Sequence, residues 1–126
     1  LPFYLLDLAV TQVDCLHALG RFDEGAAAAE AALRTLGQPT ELGPFEIAFR
    51  LAQSDVCQAA GQSEPARQAL QTAVQGLKTR LRDIEDAGLR RMYLDNNPHC
   101  RRVLALAATH GLDVRDLQPE AAAPLP

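Results

Sequence analysis

Apolar residues recur along most of the chain at spacings of three and four positions, the period of an α-helix with one buried face. The period is cleanest in the middle of the chain, where Ser63 is the expected N-cap and Pro65 falls in the first turn. This pattern predicts an amphipathic helix with the core positions Ala66, Ala69, Leu70, Ala73, Val74, Leu77, Leu81 and Ile84.

Two helices are predicted before it, separated by Gly20, a residue typical of a helix C-cap. The first covers residues 3–19, and the second begins at Phe22, followed by two acidic residues that the helix macrodipole favours in a first turn. The predicted apolar face of the first helix comprises Leu5, Leu8, Ala9, Leu16 and Leu19, widened by Leu6 and Val13. That of the second comprises Ala26, Ala29, Ala32, Leu33 and Leu36.

A loop is predicted over residues 37–43, "GQPTELG", from its Gly and Pro content. A third helix then runs from Pro44 to Ala60 and stops at Gly61, with Ile47, Leu51, Ala52, Val56 and Ala59 on its apolar side.

Two shorter helices are predicted near the C-terminus, one within residues 86–97 and one that is capped by Asn97 and stops at Gly111. Residues 113–126 are rich in Pro and Ala and poor in large apolar residues, which predicts a disordered tail. The apolar positions are Leu89, Met92 and Tyr93 in the first of these helices, and Val103, Leu104, Ala107 and Ala108 in the second.

The first four helices read as a repeated unit. Shifting residues 12–36 by 41 positions aligns seven identical residues, three of them alanines. A helix pair cannot bury its apolar faces alone, so stacked pairs are the physical reason for such a repeat. The matching residues are Gln12, Asp14, Ala18, Gly20, Ala28, Ala32 and Leu36 with Gln53, Asp55, Ala59, Gly61, Ala69, Ala73 and Leu77.

The stretch "LGRFDEGAAAAEAALRTLGQP" resembles the second half of a tetratricopeptide repeat (TPR). The matching residues are Leu19, Gly20, Arg21, Phe22, Asp23, Glu24, Ala32, Leu33 and Pro39, whereas Gly25 stands where that family prefers Ala. The second copy keeps Gly61, Ala66 and Ala73, and its unit of 41 residues is longer than the usual 34. The resemblance implies an all-α array of two TPR-like repeats, at about residues 3–36 and 44–77. A capping segment over 78–112 would complete a domain of residues 1–112.

The segment "LRRMYLDNNPHCRRVLALAATHGL", residues 89–112, is similar to the closing segment of helical-repeat tails on large bacterial multidomain signalling proteins. Such proteins often carry a DNA-binding or nucleotide-cyclase module and an NTPase module upstream. The resemblance implies the C-terminal part of a bacterial signalling or transcriptional regulator. The start of the chain at Leu1, without Met, likewise leads us to expect a fragment of a larger protein.

Composition supports an all-α core and narrows the function classes. The chain is 48% hydrophobic but only 5% aromatic, which suits closely packed Ala- and Leu-rich helices. Its net charge of −4 argues against a nucleic-acid partner, although residues 78–112 are basic and residues 1–43 acidic. The lack of a signal-peptide pattern or membrane-spanning run, with three cysteines that match no disulfide framework, predicts a cytoplasmic protein with no membrane partner.

The sequence contains no pattern for catalysis, a metal or a cofactor. His17 and Cys15 point to different sides of a helix, so they cannot share a metal ion. Cys100 lies at a helix start, where a thiol pKa can fall, but a buried small hydrophobe is the stronger interpretation. We therefore expect neither enzymatic activity nor a cofactor.

A candidate binding face lies on the first helix of each repeat. Spacings of three and four residues put Asp7, Val10, Asp14 and His17 on one side of the first helix, and Leu51, Asp55 and Gln58 occupy the equivalent side 41 residues later. In TPR arrays such faces line the groove that holds a partner peptide. Asp14 and Asp55 would form an acidic ladder for a basic or polar ligand, or they are ordinary solvated charges.

The expected function is therefore non-enzymatic: a protein–protein interaction module or scaffold that binds a protein, a peptide or a neighbouring domain of its parent protein. The alternative is a structural module that forms homo-oligomers through its apolar ends, which the stretch "LPFYLL" favours.

Overall fold

The computed structural model describes residues 3–36 and 45–117, and within them it leaves out the side chains of Phe3, Tyr4 and Leu36. These ranges are helical and contain no strand, which confirms the predicted all-α class. The loop predicted over residues 37–43 and the end of the predicted tail lie outside the described residues. The helices are α1 (Phe3–Ala18), α2 (Phe22–Leu36), α3 (Glu46–Ala59), α4 (Ser63–Arg82), α5 (Ala87–Asn96) and α6 (Pro98–Thr109), followed by a 3-10 turn at Arg115–Leu117.

Three of the helices, α1, α3 and α6, end in the same way. Each is followed by a glycine with a positive φ, which is 76° at Gly20, 79° at Gly61 and 71° at Gly111. A left-handed residue at this point lets the next N–H bond to a carbonyl of the last helical turn, and glycine adopts that conformation without strain. The bonds join Arg21 N to Leu16 O (2.9 Å), Gln62 N to Cys57 O (2.8 Å) and Leu112 N to Ala107 O (2.9 Å).

The contacts between helices also follow a repeating pattern. Helix α3 contacts both α1 and α2, and α6 contacts both α3 and α4. Helix α6 therefore occupies the place that α3 occupies one step earlier. Helices α1 and α2 form the first hairpin, and the first core cluster joins it to α3. This cluster contains Leu6, Val13, Ala26, Ala29, Phe49, Ala52, Val56, Cys57 and Ala66. The second includes Ile47, Leu51, Leu70, Ala73, Val74, Leu77, Leu94, Val103 and Ala107.

The predicted apolar face of α1 is wrong at three of its positions, whereas Ala9 and Leu16 are half-buried as part of it. Leu6 and Val13, which were expected only to widen that face, are its most buried residues, whereas Leu5, Leu8 and Leu19 are exposed. The sequence misleads here because α1 carries apolar residues on two sides, so its period does not identify which side the rest of the chain covers.

The core of α4 agrees with prediction over its whole length. All seven predicted apolar positions from Ala66 to Leu81 are buried, and Ile84 is half-buried just beyond the helix. The expected N-cap is displaced by one residue, since Gln62 takes that position and Ser63 is the first helical residue.

The short helices follow their predicted bounds better than their predicted faces. Asn97 caps α6 as expected, because its side chain accepts from the backbone N–H groups of His99 and Cys100. In α5, however, Leu89 and Met92 are exposed and Leu94 is the buried residue. Ala59 and Ala108, also predicted in the core, are exposed as well.

The boundary predicted after residue 112 falls too early. Val114 and Leu117 are buried in the second core cluster, and the Lys78 ammonium lies 3.5 Å from the Asp116 carboxylate. Residues 113–117 therefore belong to the folded domain and cover the end of the array. No helix in the described ranges has the length and apolar character needed to cross a membrane.

Candidate functional site

The two acidic residues of the predicted ladder, Asp14 on α1 and Asp55 on α3, do lie near each other. The two carboxylates are close enough for Asp55 to raise the pKa of Asp14. The contact between α1 and α3 accounts for this geometry, because the two residues lie on the same side of packed neighbouring helices. Helix α6 contributes two further residues, His99 and Arg102, to this surface. We call it the three-helix face, and it consists of Asp14, His17, Asp55, His99 and Arg102.

Asp55 is not a free acid, because α6 supplies its counter-charge. The guanidinium of Arg102 donates two hydrogen bonds to the Asp55 carboxylate, at 2.5 and 2.7 Å. Such a paired geometry fixes both side chains and orders α6 against α3. The pair is partly open to solvent, since the Arg102 side chain is about half exposed, so its net contribution to stability is modest.

Asp14 has a different environment. It forms no ion pair within the described part of the chain, and it is partly open to solvent. Partial burial and then the charge of Asp55 raise its pKa above the ordinary value, and the neighbouring His17, Arg102 and His99 oppose this rise. The face thus offers an acceptor at Asp14 beside a neutralised Asp55–Arg102 pair.

The two histidines of the three-helix face lie in different environments. The ring of His17 lies 5.5 Å from that of Phe22, centre to centre and tilted by 50°, so the first residue of α2 holds it at the end of α1. His99 lies exposed in the first turn of α6. Both rings can donate or accept hydrogen bonds next to the Asp14 carboxylate.

The raised pKa of Asp14 predicts a pH-dependent effect on stability. A carboxyl group that ionises less readily in the folded chain favours folding below its unfolded pKa of 3.8, and it loses that contribution as the pH rises through its folded pKa. Asp14→Asn should therefore raise the free energy of unfolding near pH 7, and the gain should shrink near pH 3. Urea unfolding followed by circular dichroism at both pH values measures it, and an equal gain at both would contradict the electrostatic cause.

The remaining predicted site residues divide into surface and core. Asp7 and Gln58 are exposed, and Val10 is half-buried against the first core cluster. The prediction that Leu51 belongs to the binding face is wrong, because the residue is only 2% exposed and packs in the second core cluster. A position that is half-open on the first helix of an array is covered on α3, which has neighbours on both sides, so Leu51 cannot contact a partner.

His99 and Arg102 were absent from the predicted site. The resemblance of residues 89–112 to a closing segment led us to predict α6 as part of a cap, and its closing glycine lies 50 residues after Gly61 instead of 41. The insertion of α5 accounts for the longer spacing. Gly111 was the available signal, since it ends its helix as Gly20 and Gly61 do.

A cleft and a cysteine at a helix start are two further features of the described residues where chemistry could reside. A cleft of about 420 Å³ beside α3 and α4 is lined by Glu46, Arg80 and Asp83 among others, and no histidine or cysteine appears among its described lining residues. Burial raises the pKa of the Cys100 thiol, so the helix start does not activate it. No group of three or more potential metal ligands occurs in residues 3–36 and 45–117.

Comparison of the chain with protein-family models, with curated proteins and with solved structures found no significant match.

Proposed function

We propose that this chain is a non-enzymatic protein–protein interaction module, built as a TPR-like helical array, and that the three-helix face is its binding surface. One observation carries the proposal. Side chains from the three helices that share the same glycine ending converge on one surface, and Asp14, one of its two acidic residues, forms no ion pair within the described part of the chain.

The chemistry of the face favours a peptide or protein with a basic group. A lysine or arginine that approaches Asp14 would gain a charge-assisted hydrogen bond and relieve the repulsion that Asp14 experiences from Asp55. Arg102 and the two histidines can meet carbonyl or carboxylate oxygens beside it. This mixture of charges suits an extended peptide that presents both a basic side chain and backbone carbonyls.

The biological setting is a further part of the proposal. The resemblance of residues 89–112 to the closing segment of bacterial signalling proteins supports a place at the C-terminal end of a signalling or transcriptional regulator. The partner would then be a separate protein or a neighbouring domain. The three free cysteines support a cytoplasmic location.

The test is selection of twelve-residue peptides from a display library on the immobilised chain, followed by fluorescence anisotropy of the enriched peptides. We expect the selected sequences to be rich in Lys and Arg, and Asp14→Lys should weaken their binding by at least about tenfold, or ~1.4 kcal/mol. Asp14 is preferable to Asp55 for this reversal, because Asp55→Lys would also break the pair with Arg102.

Asp95→Lys on α5 provides the matched control, since it makes the same change of charge at an exposed residue outside the face. It should leave peptide binding unchanged. If both variants weaken binding equally, the peptides respond to net charge and not to the three-helix face. If Asp14→Lys binds as the unmodified chain does, the acidic ladder is ordinary surface.

A further inference from the structure

The three-helix face contains two of the chain's three histidines, His17 on α1 and His99 on α6. Helix α3, which carries Asp55, contacts both of these helices. Both histidines act electrostatically on Asp14, as Asp55 and Arg102 also do. Asp14, which has no ion pair in the described part of the chain, therefore has one imidazole beside it on its own helix and a second on α6.

The spacing along each helix and the ion pair between α3 and α6 place these side chains together. His17 follows Asp14 by three residues, so the two side chains are neighbours on one side of α1. On α6, His99 precedes Arg102 by three residues in the same way. Because Arg102 is held against Asp55 by two hydrogen bonds, the side of α6 that carries His99 is turned toward α3.

Other charged residues lie on the elements that pack beside the two histidines. They are Arg21, Asp23 and Glu24 at the start of α2, Arg80 on α4, Asp95 at the end of α5 and Arg101 on α6. Carboxylate and guanidinium groups ordinarily change charge outside the range from pH 5.5 to 7.5, whereas an imidazole ordinarily changes charge within it. Protons that the three-helix face takes up in this range are therefore expected on His17 and His99.

We propose that His17 and His99 make partner binding at the three-helix face pH-dependent, so that a basic peptide is held near pH 7.5 and released near pH 5.5. This pH dependence presupposes the proposed binding function and adds its regulation. With neutral imidazoles the face carries a net negative charge, because Arg102 balances Asp55 and the charge of Asp14 remains. With both imidazoles protonated the net charge of the face is positive.

Two effects weaken the binding of a basic partner as the pH falls. An imidazolium beside Asp14 can donate a hydrogen bond to its carboxylate, and so occupies the acceptor that a lysine or arginine of the partner needs. The added positive charges also repel the approaching basic side chain. The coupling is reciprocal, since a bound basic peptide disfavours protonation of the two histidines, and binding near pH 6.5 should therefore release protons.

The probe is one of the Arg-containing peptides selected at pH 7.5, chosen to lack His, Asp and Glu and blocked at both termini so that its own charge stays constant. Fluorescence anisotropy measures its affinity at pH 7.5, 6.5 and 5.5 at constant ionic strength, because salt screens such contacts. The unmodified chain should bind at least about fivefold more weakly at pH 5.5 than at pH 7.5. In the double variant His17→Gln/His99→Gln most of this difference should disappear, because glutamine stays neutral throughout.

His110→Gln provides the matched control, since it removes the chain's third histidine. His110 follows His99 by eleven residues, about 16 Å further along α6, and lies at the end of that helix. Its backbone carbonyl accepts a hydrogen bond from Arg67 (2.7 Å), and this bond does not depend on the imidazole. The variant should keep the full pH dependence of the unmodified chain. Circular dichroism at both pH values should show equal helicity in all variants.

A second readout counts protons directly. Isothermal titration calorimetry of the same peptide at pH 6.5, in two buffers that differ in ionisation enthalpy, gives the number of protons released on binding. The unmodified chain should release protons, and the double variant should release almost none. This number does not depend on the absolute affinity, so a variant that simply binds more weakly would still release protons.

The outcomes separate this regulation from the proposed binding itself. Binding that requires Asp14 at pH 7.5 but is equally strong at pH 5.5 would overturn the role of the histidines and leave the binding face standing. A pH dependence that persists in the double variant would assign it to Asp14, whose pKa is raised by burial and by Asp55, and would also overturn the role of the histidines. If no selected peptide needs Asp14 at pH 7.5, the binding function fails and its regulation fails with it.

Discussion

Replacing Phe49 by alanine is expected to lower the free energy of unfolding by about 3–5 kcal/mol, the usual cost of truncating a buried aromatic side chain. Phe49 is completely buried between α3 and the hairpin of α1 and α2, and it is the largest of the fully buried side chains. A domain of this size has only about 5–15 kcal/mol of stability in total, so the variant should be partly unfolded at moderate temperature. Urea unfolding followed by circular dichroism measures the change.

The repeat supplies the control for this experiment. Leu8 is the residue equivalent to Phe49 on α1, but it is 60% exposed. Leu8→Ala should change the free energy of unfolding by no more than about 0.5 kcal/mol, because the side chain is mostly exposed. Equal losses in the two variants would mean that α1 is covered as α3 is, and would contradict the open N-terminal side.

Much of the fold could be predicted from the sequence wherever a helix has one unambiguous apolar side. The core of α4 is the clearest case, because its polar residues separate the buried positions at every turn. The ends of α1, α3 and α6 could also be predicted from the glycines that follow them, since a helix that ends in a left-handed residue favours Gly there. The prediction of helix ends therefore rested on local backbone chemistry.

Faces and burial on the outer helices were less predictable, because they depend on neighbours that the period does not reveal. Helix α1 has leucines on two sides, and only the position of α2 and α3 decides that Leu6 is buried and Leu8 is not. Leu51 shows the converse. Its equivalent, Val10, is half-buried on an outer helix, whereas α3 lies between two hairpins and Leu51 is fully enclosed.

The sequence could predict only part of the candidate site, because the rest depends on which helices become neighbours in the fold. The shift of 41 residues correctly brought Asp14 and Asp55 together, because both lie on helices of the repeat. It could not supply Arg102, whose helix returns to the array only after the insertion of α5. The predicted acidic ladder therefore contains two different carboxylates. Asp55 is paired with Arg102, whereas Asp14 has no ion pair in the described structure.

Replacing Gly25 by alanine is the second large expected effect, and its sign opposes simple helix propensity. An alanine in place of a helical glycine ordinarily adds up to about 1 kcal/mol of stability, and Gly25 is the fourth residue of α2. A Cβ at position 25, however, would overlap Cγ2 of Val56, where α3 packs closely on α2. The isopropyl group of Val56 is stiff and completely buried, so it cannot move aside cheaply.

We therefore expect Gly25→Ala to lower the free energy of unfolding by about 1–3 kcal/mol, the range for an overpacked core. This position is where the TPR family prefers Ala, so the result also tests how far the resemblance extends to packing. Here the spacing between α2 and α3 leaves no room for the residue that the pattern would favour.

A double-mutant cycle separates overpacking from any other cause. Val56→Ala removes the methyl group that the new Cβ would meet, and in that background Gly25→Ala should be neutral or stabilising by up to about 1 kcal/mol. The coupling between the two positions should then amount to about 1–3 kcal/mol. If Gly25→Ala destabilises equally in both backgrounds, the close contact with Val56 is not what requires glycine, and Leu16 Cβ, 3.4 Å from the new Cβ, becomes the next contact to test.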